Sequence, residues 1–382
     1  GYKEALDRFS QFFIAPLFTE EYTQREVNAV HSEYQKNIMN DGRRTGRIID
    51  LHLKEGHSAQ TFTTGNLETL GGIERGELIE FYDKHYSANI MGLALLSSHS
   101  LEKLESWANQ YFSNIPNKNI ERNAHDPEVI AVEKAVRIIN IEPVKDLREL
   151  QLTFQIPGSR HLYESKPGQQ FGFILGHEGK GSLLSYLKKE DLASTLSAGA
   201  WSATKEYGYA YVSIGLTDKG LKEYKNVVKS VYSYIQLMKK SGYQKQVYDE
   251  LKTMASLNEV YSSKGEGARR ATQLANESIR YPLKDVGRIN YIYRKDNPDV
   301  YESLLDNINL EKMLVALIAK DLHVDSVEHF YQAKYSFKTD ENLFQELSNM
   351  GPYKEFEMPA LNPFIPRSLS IPERDLKDAV YP

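Results

Sequence analysis

Two glutamates seven positions apart, Glu26 and Glu33, are the first residues in this sequence whose spacing suggests chemistry. The segment 25–40 is predicted to be a helix because its apolar residues recur at intervals of three and four. Those apolar residues are Val27, Val30, Tyr34 and Ile38. Positions seven apart lie almost one above the other on a helix, so the two carboxylates point the same way. Such a pair can serve as metal ligands or as an acid/base pair.

The same pair also has an ordinary structural explanation. Thr23 and Glu26 fit a capping box, in which Glu26 would only complete the start of the helix. Acidic residues in a first turn also complement the helix dipole, and glutamate usually lies at the surface. Spacing alone therefore leaves the metal and surface interpretations open, and it favours surface placement.

A second candidate for metal chemistry is the segment that contains His52 and His57. Helical zinc motifs place two histidines four positions apart on one face, beside a glutamate. Here the histidines are five apart, so they diverge by about 140° at ~100° per helical residue. Gly56 weakens the helix further. We interpret this segment as a near-match that does not bind metal.

A glycine-rich segment, 177–182, is similar to a phosphate-binding loop that leads into a helix. It lacks the full spacing of that motif, so we favour a strand-to-helix turn with Ser182 as the helix cap. We interpret His31 as a solvated neighbour on the helix that carries the glutamates. The remaining histidines without partners at ligand spacing include His85, His161 and His329.

The composition limits the classes of function. The chain has 382 residues, 41% of them hydrophobic, which is enough for packed cores. Its net charge is −5 with both signs scattered, so no basic stripe predicts a nucleic-acid partner. The absence of cysteine excludes disulfides, thiolate metal sites and a cysteine nucleophile. No apolar run approaches the ~20 residues of a membrane span, so no membrane association is expected.

Helices and strands are mixed along the chain, with long helices in consecutive groups. The predicted helices are 4–14, 25–40, 74–85, 101–112, 183–189, 221–240, 244–261, 267–279 and 300–306. The predicted strands are 91–96, 136–141, 149–156, 171–176, 207–216 and 314–319. This order predicts an α+β fold in which helices pack on one face of mainly antiparallel sheets.

A loop rich in proline and asparagine, 114–128, is the best domain boundary. We therefore predict a first domain over residues 1–124 and a second over 125–352. The proline-rich tail, 353–382, is predicted to be a linker toward a further half that is not in this chain.

Several stretches together resemble the insulinase (pitrilysin-type) family of zinc metallopeptidases. One of them reads Arg25-Glu26-Val27-Asn28-Ala29-Val30-x-Ser32-Glu33, and another reads Gly176-His177-Glu178-Gly179-x-Gly181-Ser182. Collinear matches also occur at 7–18, 36–41, 62–66, 143–146 and 362–366. The resemblance implies two homologous α+β domains that form half of a peptidase clamshell, with the first domain truncated at its N-terminus.

The resemblance also implies roles for the two glutamates. In this inverzincin family, two histidines of a His-x-x-Glu-His helix and a later glutamate hold zinc, and the motif glutamate polarises a zinc-bound water. The later glutamate corresponds to Glu33. Glu26 corresponds to a glutamate that orients a zinc-ligating histidine.

Peptide substrates are the partners that the resemblance implies. In the family, an edge strand of the second domain pairs with the N-terminal segment of the substrate through backbone groups. The corresponding stretch here is Leu196, Ser197, Ala198, Gly199 and Ala200, with Glu178 and Tyr186 nearby.

The departures from the family pattern lead to two hypotheses. The chain has no His-x-x-Glu-His, and Arg43, Gly46 and Ala198 stand where relatives carry substrate-contacting residues. One carboxylate cannot hold a catalytic zinc, so we expect no zinc binding or hydrolysis by this chain alone.

The first hypothesis is a fragment of a zinc endopeptidase of this family with an incomplete site. The second is an inactive binding or structural subunit. Both allow a complementary peptidase half or a homo-oligomer as partner. A cytoplasmic location is expected, with mitochondria as the alternative.

Overall fold

The computed structural model describes residues 1–263 and 265–366. Before the first strand, all the regular secondary structure is helical. The loop 114–128, which was predicted to be the domain boundary, contains neither helix nor strand. The helices of this first part are α1 (Tyr2–Ile14), α2 (Glu20–Asn37), α3 (Asp41–Leu51), α4 (Leu67–Leu70), α5 (Arg75–His85) and α6 (Leu101–Phe112).

A single seven-stranded sheet organises the rest of the described chain. Its strands are β1 (Val136–Ile141), β2 (Arg148–Pro157), β3 (Ala193–Ser202), β4 (Tyr207–Leu216), β5 (Met313–Ala319), β6 (Ser326–Val327) and β7 (Lys334–Asp340). Their order across the sheet is β3-β4-β2-β5-β1-β7-β6. Every neighbouring pair is antiparallel except β1 and β5. The prediction of an α+β fold with a mainly antiparallel sheet is confirmed.

One face of the sheet is covered by a layer of helices. The helices of this part of the chain are α7 (Pro167–Leu175), α8 (Leu183–Lys189), α9 (Asp218–Lys222), α10 (Tyr224–Ser241), α11 (Lys245–Tyr261), α12 (Gly267–Ser278), α13 (Pro298–Asp306) and α14 (Glu341–Ser348). Strand β2 shows why the layer forms, because its alternate residues Leu150, Leu152 and Phe154 are fully buried in the core that these helices, except α12, share. Alternation in a strand sends every second side chain to the same face.

The opposite face of the sheet is covered over β1 and β5 by the first part of the chain. Tyr34 of α2 and Ile48 of α3 are buried against Ile139 and Ile318. This contact joins the helices that carry the two glutamates to the sheet. Over β3 and β4 the same face carries exposed aromatic side chains, with Trp201 51% and Tyr211 37% exposed.

Two of the expected strands are absent from the structure. Segment 91–96 has no neighbouring strand among the described residues and is only partly buried, so it stays extended without a ladder. Segment 171–176 lies in α7 and its C-cap rather than in a strand. Its short apolar run fits either state, and Pro167 at the first turn starts the helix instead.

The tail beyond α14 begins by packing on the helical layer. Phe356 is buried, and its ring lies 5.2 Å from that of Tyr186 and 5.1 Å from that of Tyr234. The remainder of the predicted linker, 367–382, lies outside the described residues. None of the helices in the described parts of the chain combines the length and apolar character that crossing a membrane requires.

Candidate functional site

Helix α2 carries both glutamates well inside its length. It begins at Glu20 with Thr19 as N-cap, so Glu26 lies in the second turn and Thr23 is a helical residue. The predicted capping box of Thr23 and Glu26 is therefore wrong. The helix starts one turn earlier because nothing in residues 20–23 interrupts it, and Glu26 keeps its side chain for another role.

The position of α2 is fixed by one buried side chain. The hydroxyl of Tyr34 donates to the carbonyl oxygen of Phe330 at 2.5 Å, and its ring packs edge-on against Phe62 at 6.0 Å. Burying this face leaves Glu33, the neighbour of Tyr34, exposed on the far side. Glu26 is exposed too, and neither carboxylate hydrogen-bonds or ion-pairs with another described residue. Both are free to meet an external group.

A long apolar groove runs beside Glu26. Its volume is about 780 Å³, and it lies between α1, α2 and the segment 70–78. Exposed side chains line it, including Phe12 at 67% and Leu17 at 75% exposure. Open apolar surface of this kind marks a place where another chain segment packs.

The residues present do not by themselves fit a zinc ion. Among residues 1–263 and 265–366, no three histidine, aspartate or glutamate side chains come together as a metal site. Protein zinc sites use three or four such ligands, and Glu33 offers one exposed carboxylate. The arrangement leaves Glu33 as a potential single ligand.

Helix α3 is tied to the sheet through one carboxylate. The two oxygens of Asp41 accept from the backbone N–H groups of Val144 and Lys145, at 2.6 Å and 3.0 Å. Two matching stretches of the sequence, 36–41 and 143–146, therefore meet in space. Arg43 on this helix is exposed, and a Cβ added at Gly46 would meet nothing within 4 Å.

Two arginines of α3 add a second tie that the sequence did not indicate. The buried guanidinium of Arg44 donates to the carbonyl oxygen of Tyr331 at 2.6 Å. Arg47 pairs with the buried carboxylate of Glu328 at 3.2 Å. Charged hydrogen bonds to backbone carbonyls are strong when buried, so α2 and α3 are held as a unit on the sheet.

Strand β3 forms one edge of the sheet, since β4 is its one neighbour among the described strands. In an antiparallel ladder, alternate residues of an edge strand direct their N–H and C=O groups outward. The expected peptide-pairing residues Leu196, Ser197, Ala198 and Gly199 all lie in this strand. Its outer backbone groups can accept an added strand.

A row of glycines brings α7 close to the back of this edge strand. A Cβ added at Gly172 would lie 2.9 Å from the carbonyl oxygen of Ala198, and one at Gly168 would lie 3.0 Å from that of Ala200. A side chain there would push the helix away from the strand. The spacing of four between Gly168, Gly172 and Gly176 is visible in the sequence and could have indicated this contact.

Aromatic side chains cover the other side of β3. The ring of Tyr211 lies over Gly199, where an added Cβ would come within 3.0 Å of the ring, and Trp201 lies 5.5 Å from the ring of Tyr209. Burial raises the pKa of the Tyr209 hydroxyl, so Tyr209 stays neutral at physiological pH. This face offers aromatic contacts to a strand paired with β3.

The glycine-rich segment joins two helices, α7 and α8, rather than a strand and a helix. Ser182 caps α8 as predicted, because its hydroxyl accepts from the N–H of Ser185 at 3.1 Å. Gly181 has a positive φ of 75° and lies against Glu357, so its role is structural. Glu178 is exposed in this loop, and both flanking helices pack against β3.

His52 and His57 have structural partners. His52 lies 2.8 Å from the carbonyl oxygen of Ile48 through Nδ1 and stacks on the ring of Phe337 at 4.8 Å. The Nδ1 of His57 accepts from the N–H of Ala59 at 3.0 Å. That this segment binds no metal stays a prediction.

Family models match most of the chain in two consecutive parts. Residues 72–255 match the Peptidase M16 inactive domain, and residues 260–382 match the middle or third domain of peptidase M16.

Curated relatives match nearly the whole chain. The A-factor-processing enzyme of Saccharomyces cerevisiae is 32% identical over 97% of this chain and 37% of its own length. The insulin-degrading enzyme of Homo sapiens is 32% identical over 99% of this chain and 38% of its own length. The peroxisomal insulin-degrading enzyme-like 1 of Arabidopsis thaliana is 33% identical over 99% and 40%. The chain therefore spans about two-fifths of the length of these relatives.

Solved structures show the same architecture. Pitrilysin superposes with a TM-score of 0.87 at 25% identity, covering 96% of this chain and 40% of pitrilysin. The first half of the periplasmic protease PqqL from Escherichia coli has the same fold, with a TM-score of 0.63 at 13% identity over 84% of this chain and 70% of that half.

Proposed function

The chain belongs to the peptidase M16 family, and on that premise we propose that it is the part of an insulin-degrading-enzyme-like zinc endopeptidase that anchors peptide substrates. The observation that carries this proposal is the unpaired edge of β3, which α7 supports from behind through glycines at very short range. Within the domain division, residues 125–352 provide this edge and residues 1–124 carry Glu33.

The physical basis is strand addition. A peptide that pairs with β3 gains backbone hydrogen bonds whatever its side chains, so the edge accepts many sequences. The rigid core behind β3 limits the entropy that the strand loses on binding. Trp201 is half exposed on the open face of β3, where it can contact a side chain of the paired peptide.

In this proposal, zinc requires ligands from outside these 382 residues. A relative in Schizosaccharomyces pombe, 34% identical to this chain, carries the words zinc protease in its name. Glu33 would supply one carboxylate, Glu26 would orient a neighbouring ligand, and histidines from another segment would complete the set. The apolar groove beside Glu26 is where that segment would pack.

Alternately N-methylated peptides test the anchoring role. A fluorescent peptide of about twelve residues with high β-propensity should bind the chain in an anisotropy titration. Two versions of the peptide are compared, one N-methylated at its odd-numbered residues and one at its even-numbered residues, and these are the two methylation phases. Methylation in one phase should abolish binding and in the other should preserve it, because only one set of N–H groups faces β3. Equal binding in both phases would contradict the proposal. The peptide should remain intact throughout.

A second candidate function is an inactive binding or structural subunit of the same family. Arg43 and Gly46 favour it, because the family resemblance implies substrate-contacting residues at these two positions, and an added Cβ at Gly46 would meet nothing within 4 Å. The coding sequence outside these residues decides between the two candidates. An intact His-x-x-Glu-His there supports the enzyme, and a degenerate one supports the subunit.

A further inference from the structure

A second cavity, of about 530 Å³, lies where the two parts of the chain meet. Five basic side chains line it, and no carboxylate is among its lining residues. The basic residues are Arg122, Arg160, His161, Lys205 and Arg280. This concentration is unusual in a chain whose net charge is −5.

The cations at this cavity are poorly neutralised by the protein itself. Within the described residues, the guanidiniums of Arg160 and Arg280 make no ion pair and no hydrogen bond. Both lie within electrostatic range of Tyr281. Burial raises the pKa of the Tyr281 hydroxyl, and the positive charges of the two arginines oppose this rise. Lys205 has one acidic contact, to Glu206 at 3.6 Å. The cavity, called here the basic pocket, therefore carries an unbalanced positive charge.

The basic pocket lies at one end of the β3 edge. The N–H of Ser159 donates to the hydroxyl of Ser202, the last residue of β3, at 2.7 Å, and the two hydroxyls are 3.1 Å apart. The N–H of Gly158 donates to the carbonyl oxygen of Glu206 at 3.0 Å. Arg160 follows Ser159 in the chain and Lys205 precedes Glu206, so both basic residues lie in segments that contact the end of β3 or the start of β4. A peptide paired with β3 and continuing past Ser202 would run toward this charge.

We propose that the basic pocket binds acidic side chains of a peptide whose neighbouring segment pairs with the β3 edge. The inference rests on the proposed function, because the peptide backbone must follow β3. A strand advances about 3.3 Å per residue, so the acidic residue lies roughly four to six residues from the one opposite Ala198. The pocket would select among sequences that the backbone pairing treats alike.

The chemistry favours a carboxylate on an extended chain. Guanidinium groups bind carboxylates bidentately, and two that lack internal partners lose no ion pair when they do so. The exposed pocket still faces solvent, so salt should weaken the contribution. Pairing along β3 supplies the rest of the affinity and holds the acidic residue in place.

Matched peptides test this inference on the intact chain. One β-prone peptide carries two adjacent glutamates, and its partner carries glutamines at the same two positions. Each peptide is made with these two residues near the N-terminus and near the C-terminus, because the added strand can run in either direction. We expect the glutamate peptide in one placement to bind about tenfold more tightly at low salt, a difference of ~1.4 kcal/mol. The difference should shrink at 0.5 M salt. Equal affinity in both placements would overturn the inference.

Variants assign the effect to the pocket. Arg160→Gln with Arg280→Gln should remove the preference for glutamate and leave binding of the glutamine peptide unchanged. Arg269→Gln with Lys252→Gln, at two exposed cations outside the pocket, removes the same two positive charges and should keep the preference. A preference that survives in the double variant would place the acidic contact elsewhere and would contradict the inference.

The outcomes also separate this inference from the proposed function. If the two N-methylation phases differ but the glutamate preference is absent, strand pairing stands and the role of the pocket fails. If inorganic phosphate binds with the same dependence on Arg160 and Arg280 while peptides show no phase difference, the pocket is a free-anion site and both proposals fail.

Discussion

At the scale of single residues, Glu33 is a carboxylate that lacks companions. It is exposed on α2, and the described residues form no metal cluster around it. We expect the chain, incubated with zinc and then desalted, to retain well below one zinc per chain by metal analysis. Glu33→Gln should show the same background. One tightly held zinc per chain, lost in Glu33→Gln, would contradict this expectation.

Asp50 makes stability depend on pH. Burial raises the pKa of this carboxyl from 3.8 to about 6, although the charge of Arg47 opposes the rise. Between roughly pH 4 and pH 6 the folded chain therefore keeps a proton that the unfolded chain releases. The stability that Asp50 contributes when protonated is lost as pH rises through this window.

The variant Asp50→Asn cannot ionise, which isolates the effect. Relative to the parent chain it should be equally stable near pH 4 and more stable by about 1–3 kcal/mol at pH 7 in urea unfolding. Glu105→Gln, which removes one exposed carboxylate on α6, is the control for loss of a negative charge at the surface. A difference for Asp50→Asn that does not change with pH would show that its carboxyl titrates normally.

Residue types and spacing predicted the helix that carries Glu26 and Glu33, but the roles of these residues came from the family resemblance. The start of that helix was wrong because a second possible cap, Thr19, lies one turn earlier. Asp41, Arg44 and Arg47 were missed as structural ties. Their partners are backbone groups or residues far along the chain, and spacing in one sequence does not reveal such pairs.

At the scale of elements, the approach of α7 to β3 controls the shape of the edge. Gly172→Ala would force a methyl group to within 2.9 Å of the Ala198 carbonyl oxygen. We expect a net loss of about 1–2 kcal/mol in the free energy of unfolding, because overpacking outweighs the better helix propensity of alanine. Peptide binding at β3 should weaken as well.

Gly46→Ala is the matched control, since Gly46 is inside α3 and an added Cβ meets nothing within 4 Å. It should raise the free energy of unfolding by about 0.5–1 kcal/mol. If the two variants behave alike in thermal and urea unfolding, the close packing of α7 on β3 has no energetic importance.

Elements with strong periodicity were predicted closely, and short apolar runs were not. The alternation in β2 and β4 located both strands, and β1 was found with the bounds of the structure. The prediction of a strand at 91–96 was wrong because a strand needs a neighbouring strand to pair with, and the local sequence does not show whether one is present. The prediction of a strand at 171–176 was wrong because its apolar run is too short to distinguish a buried helix from a buried strand. Strand β3, rich in small residues, was placed through the family resemblance and not by its pattern.

At the scale of the whole molecule, the groove along α1 and α2 leaves apolar side chains open to solvent. Phe12 in the groove is 67% exposed and the neighbouring Phe9 of α1 is 50% exposed, whereas Phe13 is partly covered. We expect the isolated chain to self-associate at micromolar concentration in sedimentation velocity, because large exposed apolar patches drive association.

Changing the groove should reduce this association. Phe12→Ser with Leu17→Ser should shift the distribution toward monomer. Leu361→Ser with Phe364→Ser removes equally exposed apolar groups elsewhere, 67% and 89% exposed, and should leave it unchanged. A parent chain that is monomeric at high concentration would count against the groove as an interaction surface.

Hydrogen–deuterium exchange with and without a bound peptide tests the anchoring role most directly. Outward-facing amides of an edge strand exchange readily, and pairing with an added strand protects them. We predict that a saturating β-prone peptide slows exchange in Leu196–Ala200 of β3 and leaves α2 unchanged. Unchanged exchange across β3 at saturation, or protection confined to another element, would contradict the proposal that this edge anchors the substrate.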